Sequence, residues 1–288
     1  MIEIIQETLI DSIKLLPFLF ITYLIMEYIE HKMGEKSKKA IQKSGKWGPL
    51  FGSLLGIFPQ CGFSVSATNL YAGRVITLGT LIAVYLSTSD EMLPIFISEG
   101  VSPIIIFKIL GIKLIIGMIA GFIIDFVIHL FRKNKKEDIE KIEIEHVCEE
   151  EHCHCHENGI LKSSIKHTLS IFLFIIIISF LINTIVHFVG EETIASWILN
   201  KSIIGPAIAA LIGLIPNCAA SVILTNLYLE NVISVGSMIA GLLTGAGVGL
   251  AILFKTNKNW KENVKIVGLL YLIGTISGII LQAINISI

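Results

Sequence analysis

The chain has 288 residues, 53% hydrophobic and 16% charged, with a formal net charge of −1 and a mean hydropathy of +0.79. A soluble domain carries about 25% charged residues, so the composition excludes a soluble enzyme and a disordered chain. With no basic excess, nothing in it points to nucleic acid either. The remaining class is an integral membrane protein, and the positions of the few charges carry the topology.

The first apolar run is Leu9–Tyr28, long enough as a helix to cross about 30 Å of hydrocarbon. Met1–Asp11 holds no basic residue and no small-residue cleavage site follows, so the run reads as a span starting outside and not as a signal peptide. A loop with six lysines follows (Lys32–Lys46). Gly48–Ala72 is apolar but interrupted by Pro59 ahead of a polar cluster. In lipid such a break is tolerated only where protein or a water-filled cavity satisfies the freed backbone groups. Val75–Glu99 reads as one span, and Ile104–Phe131 as the next. The basic stretch Arg132–Lys166 leads to the span Ile165–Val189. Gly205–Leu229 is broken at Pro216, and Lys255–Lys265 precedes the last span, Val264–Ile286. The three basic loops hold 17 of the 22 Lys and Arg. Cytoplasmic loops collect these residues, so all three are placed inside.

The chain repeats itself at an offset of 157 residues. Pro59-Gln60-Cys61 falls on Pro216-Asn217-Cys218, and Thr68-Asn69-Leu70-Tyr71 on Thr225-Asn226-Leu227-Tyr228. Positions 48–86 and 205–243 agree at 18 of 39 places without a gap. Internal repeats of this kind decide architecture before any local signal. The loop 31–46 is lysine-rich, whereas its counterpart 190–202 holds Glu191, Glu192 and only Lys201. One lies inside and the other outside, so the halves are inverted. An inside loop near 46 and an outside start near 103 require an odd number of crossings between them. The expected fold is therefore an all-α membrane protein of about ten helices. It is an inverted-topology repeat, each half holding three spans plus a re-entrant Pro-Cys hairpin; ordinary spans kinked at the prolines are the alternative. The expected units are 1–131, a cytosolic linker 132–164, and 165–288. Broken helices meeting near the midplane are the plan of secondary transporters.

After each break Cys61, Ser64 and Thr68, or Cys218, Ser221 and Thr225, recur at three- and four-residue steps and share one helix face. With Gln60, Asn69, Asn217 and Asn226 they form two stripes of thiol, hydroxyl and amide. Polar groups at that depth need partners. Two thiols and several neutral oxygens suit a soft or borderline solute, a thiophilic metal ion or an arsenite-like metalloid. The competing reading is that the hydroxyls bond their own helices and that small residues let helices pack closely. The halves also differ: Ser87-Thr88-Ser89-Asp90-Glu91 aligns with Thr244-Gly245-Ala246-Gly247-Val248. Asp90 and Glu91 are expected to ligate a cation or carry a coupling proton, with Lys113 as a candidate counter-charge; a helix cap at headgroup level is the bland reading. Asp125 and His129 read as interfacial.

Residues 146–156 pack His146, Cys148, His152, Cys153, His154, Cys155 and His156 into eleven positions. Such tracts bind metals. Thiolate with imidazole suits zinc, nickel, cobalt or copper better than manganese or magnesium.

The Pro-Gln-Cys-Gly-Phe-Ser-Val-Ser-Ala-Thr-Asn-Leu-Tyr motif (59–71), the Pro-Asn-Cys-Ala-Ala-Ser-Val motif (216–222), Ser87–Glu91 and the His/Cys linker resemble the ten-transmembrane heavy-metal exporter family. Some of its members are labelled manganese transporters. A more distant likeness is to the arsenical permeases, which carry a Pro-x-Cys motif in a broken helix. The resemblance covers essentially the whole chain. It implies a multi-pass efflux protein of a prokaryotic cytoplasmic membrane, with a divalent metal or metalloid as substrate and no resident cofactor. No GxxxxGK[ST] motif is present, so an ion gradient is the expected energy source, with H+ a candidate coupling ion. The rival solute is a small organic molecule or anion, drawn by Lys113 and hairpin helix N-termini. An intramembrane enzyme is disfavoured by the lack of HExxH and GxSxG. A non-transporting metal sensor is the remaining alternative.

Overall fold

The computed structural model describes residues 45–58, 61–89, 91–134, 155–189 and 204–284, with single helical positions between Ile10 and Tyr28. Among these residues all regular structure is helical. A 3-10 turn, Gly45–Trp47, leads into α1 (Gly48–Gly56). It is followed by α2 (Cys61–Ala72), α3 (Leu78–Ser87), α4 (Met92–Ser98), α5 (Pro103–Asn134) and α6 (Cys155–Val189). Then come α7 (Gly205–Gly213), α8 (Ala219–Leu229), α9 (Val235–Thr244), α10 (Val248–Thr256) and α11 (Trp260–Ala283).

Local chemistry sets these boundaries. Pro49 and Pro206 sit in the first turns of α1 and α7, where a missing N–H costs nothing. The Thr77 hydroxyl accepts from the Thr80 N–H at 3.1 Å to cap α3, and the Ser234 hydroxyl accepts from the Ser237 N–H at 3.1 Å to cap α9. The turns ahead of these caps place Arg74 at φ 56° and Asn231 at φ 59°. Asn visits this left-handed region readily, whereas Arg does so only where its surroundings hold it. α1, α3 and α5 begin 157 residues before α7, α9 and α11, and the capping residues and turns follow the same offset.

Three-dimensional packing arranges the pieces around α3 and α9. Leu81, Ile82, Tyr85 and Leu86 of α3, and Met238, Ile239 and Leu243 of α9, are fully buried. Gly48 of α1 lies against Thr80, Gly52 against Thr80 and Val84, and Gly56 against Val84 and Ser87. α1 and α3 therefore run side by side in the same direction, and Gly45 lies beside Thr77. The chain between 57 and 77 must return to the level at which α1 began. α2, about 18 Å long at 1.5 Å per residue, lies within that stretch. α5 runs opposite to α3, with Gly117 against Ala83 and Gly121 against Gly79.

The halves interlock. α2 packs on α10, and α8 packs on α4. A second apolar cluster joins Leu19 and Tyr23 of the N-terminal helical positions to Val65 of α2, Ile171 and Ile175 of α6, and Val248 and Ile252 of α10. The outer helices turn large apolar residues outward at four-residue steps: Ile115, Ile119 and Ile123 on α5, Leu161 through Leu181 on α6, and Leu272, Ile276 and Ile280 on α11. Continuous exposed apolar stripes of this kind suit a lipid environment. Among the described residues five stretches are long and apolar enough to cross a membrane: Leu78–Ser98, Pro103–Phe131, Ser164–Leu181, Val235–Thr256 and Trp260–Ala283.

Two boundaries differ from the sequence reading. Val75–Glu99 is not one continuous helix but α3 and α4, separated at Thr88–Glu91. The matching stretch is split at Gly245–Gly247. Thr88, the residue after α3, turns its hydroxyl onto the Val84 carbonyl at 2.7 Å, and Gly247 takes φ 55° just ahead of α10. α6 begins at Cys155, ahead of the apolar run that signalled it.

The close approach of α3 to α5 makes a test. A Cβ on Gly79 collides with the Gly121 carbonyl and the Asp125 carboxyl, and one on Gly236 meets the Gly278 carbonyl and Gln282. Gly79→Ala and Gly236→Ala are expected to lose about 1–3 kcal/mol through overpacking, read as a lower unfolding temperature in detergent. Gly268→Ala has open space around its Cβ and should not lower that temperature.

Candidate functional site

Both interrupted spans end at one place. α3 stops at Ser87, whose hydroxyl donates to the Ala83 carbonyl at 2.7 Å; Ser89 donates to the Ser87 carbonyl at 3.1 Å. Ser87, Thr88 and Ser89 are buried. α9 stops at Thr244, whose hydroxyl donates to the Ala210 carbonyl of α7 at 2.7 Å. Between the two helix ends sits Lys113 of α5, with no exposed surface. Its Nζ donates to the Thr88 carbonyl, just past α3, and to the Leu242 carbonyl in the last turn of α9 at 3.0 Å. One ammonium thus joins the C-terminal ends of a broken helix from each half, where the helix dipoles favour a cation.

Beside this junction runs the polar stripe of α2. Ser64, Thr68 and Asn69 are fully buried. The Thr68 hydroxyl lies 2.7 Å from the Ser64 carbonyl and 2.5 Å from the Tyr85 hydroxyl. The Gly249 carbonyl of α10 is 3.2 Å from both hydroxyls. This cluster pins α2, α3 and α10 together across the halves. Tyr23 donates to Asn69 Oδ1 at 3.2 Å, while the buried Asn69 Nδ2 has no hydrogen-bond partner among the described residues. In the second half Cys218 is half-buried just ahead of α8. Ser221 donates to the Cys218 carbonyl and Thr225 to the Ser221 carbonyl, each at 2.7 Å. These two hydroxyls direct their protons to their own helix, as the competing reading of the stripes expects, and keep their lone pairs. Asn217 is buried and Asn226 half-buried.

Of the remaining expected residues, Glu91 is half-buried in the turn before α4. Gln60, Asp90, His146, Cys148, His152, Cys153 and His154 lie outside the described residues. Cys61 opens α2, and Cys155 and His156 open α6; the side chains of all three lie outside the description. Among the described residues no three His, Cys, Asp or Glu side chains come together as a metal site.

Sequence reasoning missed three contacts. Arg74 donates from both terminal nitrogens to Glu262, at 2.9 and 3.1 Å, and Tyr71 donates to the same carboxylate. This clamp ties the turn after α2 to the first turn of α11. Asp125 is not merely interfacial: it accepts from the Thr77 hydroxyl at 2.7 Å and the Gly79 N–H at 2.8 Å, holding the start of α3. Tyr85 is the third. A signal was present in the repeat: Lys113, Tyr85 and Glu262 align with Leu270, Leu242 and Ile105. Polar residues that interrupt an otherwise apolar repeat mark the places where the halves do different work.

The family model described as "Putative, 10TM heavy-metal exporter" matches residues 1–191 and 175–287. The chain belongs to this exporter family. No curated protein and no solved structure matches the chain. Membership in the heavy-metal exporter family accounts for the apolar outer stripes, and it makes the protein a multi-pass membrane protein.

The clamp is testable by a double-mutant cycle. Arg74→Ala, Glu262→Ala and the pair, unfolded thermally in detergent, should show a coupling of about 1 kcal/mol, the upper end for partly exposed ion pairs. Additive effects would mean that the clamp adds nothing to cohesion between the halves.

Proposed function

We propose that this protein is a secondary transporter that exports a heavy-metal ion or metalloid across a prokaryotic cytoplasmic membrane by alternating access between two inverted halves. The observation that carries the reading is the convergence of the two interrupted spans, one from each half, on buried polar groups between them. An ordinary structural helix has no use for such breaks, whereas transporters of this plan build their solute sites from them.

The re-entrant form of each Pro-Cys segment is supported by the parallel course of α1 and α3, since α2 has to run back toward the side from which α1 came. The inverted relation is supported by two contacts. The ends of α3 and α9 meet at Lys113, as expected of equivalent helices that approach the junction from opposite sides. The turn after α2 meets the start of α11, beside the basic 255–265 loop that the charge pattern places inside.

In this reading the solute passes between the hairpin stripes. Cys61 and Cys218 would offer thiolates, Asn69, Asn217, Asn226, Thr68 and Thr225 neutral oxygens, and Asp90 with Glu91 the anionic ligands. Asn69 Nδ2, a buried donor in search of an acceptor, suits an oxygen-bearing solute. The cytosolic 146–156 tract would capture metal by its thiols and imidazoles and raise its concentration at the inner mouth, which sets the direction as export. Energy comes from an ion gradient, with H+ as the coupling ion.

The test is transport by purified protein in liposomes against zinc, cobalt, nickel, manganese, arsenite and small organic anions. The Cys61→Ser/Cys218→Ser pair is expected to abolish metal or metalloid flux. Undiminished flux in that pair, or flux confined to organic anions, would move the assignment to the rival solute class. Deleting residues 146–156 should raise the metal concentration needed for half-maximal flux while leaving flux at saturation. Flux absent from the full chain but a metal-dependent conformational signal lost on deletion would identify a sensor instead.

A further inference from the structure

We infer that Lys113 is the coupling site of the carrier: a cation tethered to α5 that stands where a free Na+ would otherwise bind, and that yields its proton when a cationic solute takes over its carbonyl partners. The inference rests on the transporter reading above and replaces Asp90 and Glu91 as the proton-carrying groups.

Lys113 lies ten residues into α5, about 15 Å along a helix rising 1.5 Å per residue, and so well inside a helix long enough to cross the hydrocarbon. Its ammonium donates to Thr88 and Leu242 carbonyls. The last carbonyls of a helix have no partner within it, and in transporters with interrupted spans such carbonyls and half-helix C-terminal ends hold the coupling cation. The cation requirement of this junction is met here by a side chain. The equivalent position in the second half is Leu270, also fully buried, so packing within the repeat does not call for an ammonium. The ammonium also bridges the two halves, which is where a change of charge would bear on their relative movement.

The elements around the junction differ in the charges they carry. α1, α4, α7 and α9 contain no charged residue, and α3 contributes only the Tyr85 hydroxyl, engaged with Thr68. α10 contributes Lys255 in its last turn, directed at Ser170. On α11, Glu262 is held by Arg74, with Lys261 and Lys265 in the same first turns. α5 itself adds Lys108 and, toward its C-terminal end, Asp125, His129, Arg132 and Lys133. Glu91 is in the break itself, and Asp90 lies outside the described residues.

The step balances as an exchange. A divalent ion entering from the inner side binds the Thr88 and Leu242 oxygens, and the ammonium loses one proton to inner-side water, leaving a neutral amine. When the ion leaves on the outer side, the amine takes a proton from outer-side water and rebinds the carbonyls. Each ion carried out brings one proton in, and Na+ has no part.

The experiment uses the full chain in phosphatidylethanolamine–phosphatidylglycerol vesicles with radiolabelled Zn2+ as the probe. Two modes are measured: accumulation driven by an imposed pH gradient, and Zn2+-for-Zn2+ exchange at equal pH. The wild type is expected to show both, with no response to a Na+ gradient. Lys113→Met should lose pH-driven accumulation to the level of empty vesicles while exchange persists, which also reports a folded protein. Lys113→Arg keeps its charge at any working pH and should lose both modes. pH-driven accumulation surviving in Lys113→Met overturns the inference, as does a Na+-driven wild type. Loss of exchange in Lys113→Met makes Lys113 a scaffold contact and overturns it too. A wild type inactive in both modes overturns this inference together with the metal-transport reading, whereas an active wild type with an indifferent Lys113 overturns only the first.

Discussion

A helix broken inside a bilayer frees carbonyls and N–H groups that lipid does not solvate, and each costs several kcal/mol unless the protein satisfies it. The described residues contain four such breaks, after Gly56, Ser87, Gly213 and Thr244. Most of the polar chemistry of the molecule is committed to them. Ser87, Thr88, Ser89 and Thr244 turn hydroxyls back onto carbonyls at the breaks, Gly249 offers its carbonyl to Thr68 and Tyr85, and Lys113 closes the junction.

The same constraint explains the small residues. A nine-residue helix such as α1 is too short to span, and Gly48, Gly52 and Gly56 recur at four-residue steps so that it meets α3 at close range. Gly79 with Gly121, and Gly236 with Gly278, do the same for α3 with α5 and α9 with α11. Lipid tails are as apolar as leucine, so burying Leu or Ile between these helices gains little. Close packing and polar satisfaction carry the cohesion instead.

Duplication supplies the frame and divergence supplies the difference. Equivalent caps, turns and glycine contacts recur 157 residues apart. The groups that break this pattern lie along the seam between the halves: Lys113 against Leu270, Tyr85 against Leu242, and Glu262 against Ile105. Each makes a contact that crosses the seam. Two identical halves would not supply a single ammonium at their junction.

Much of this was legible in the residues alone. Composition required a membrane, because too few charges exist to cover a soluble surface of this size. The repeat offset, the family resemblance, the breaks at Pro59 and Pro216 and the polar stripes of α2 and α8 were all local patterns, and local patterns survive in one dimension. The splitting of Val75–Glu99 was less visible, since a hydropathy run does not register a break satisfied by hydroxyls turned back on their own helix. Lys113 stood out by its charge, but its partners did not. Two of them are the backbone carbonyls of Thr88 and Leu242, which any sequence would present, 25 and 129 residues away. The bond from Arg74 to Glu262 joins two side chains 188 residues apart, a separation that local patterns do not bridge. Sequence alone determined the solvent, the duplication and the residue types at depth, because these depend on composition and period. Tertiary structure alone decided which helix ends meet and which cation they share, because that depends on where distant backbone groups are left unsatisfied.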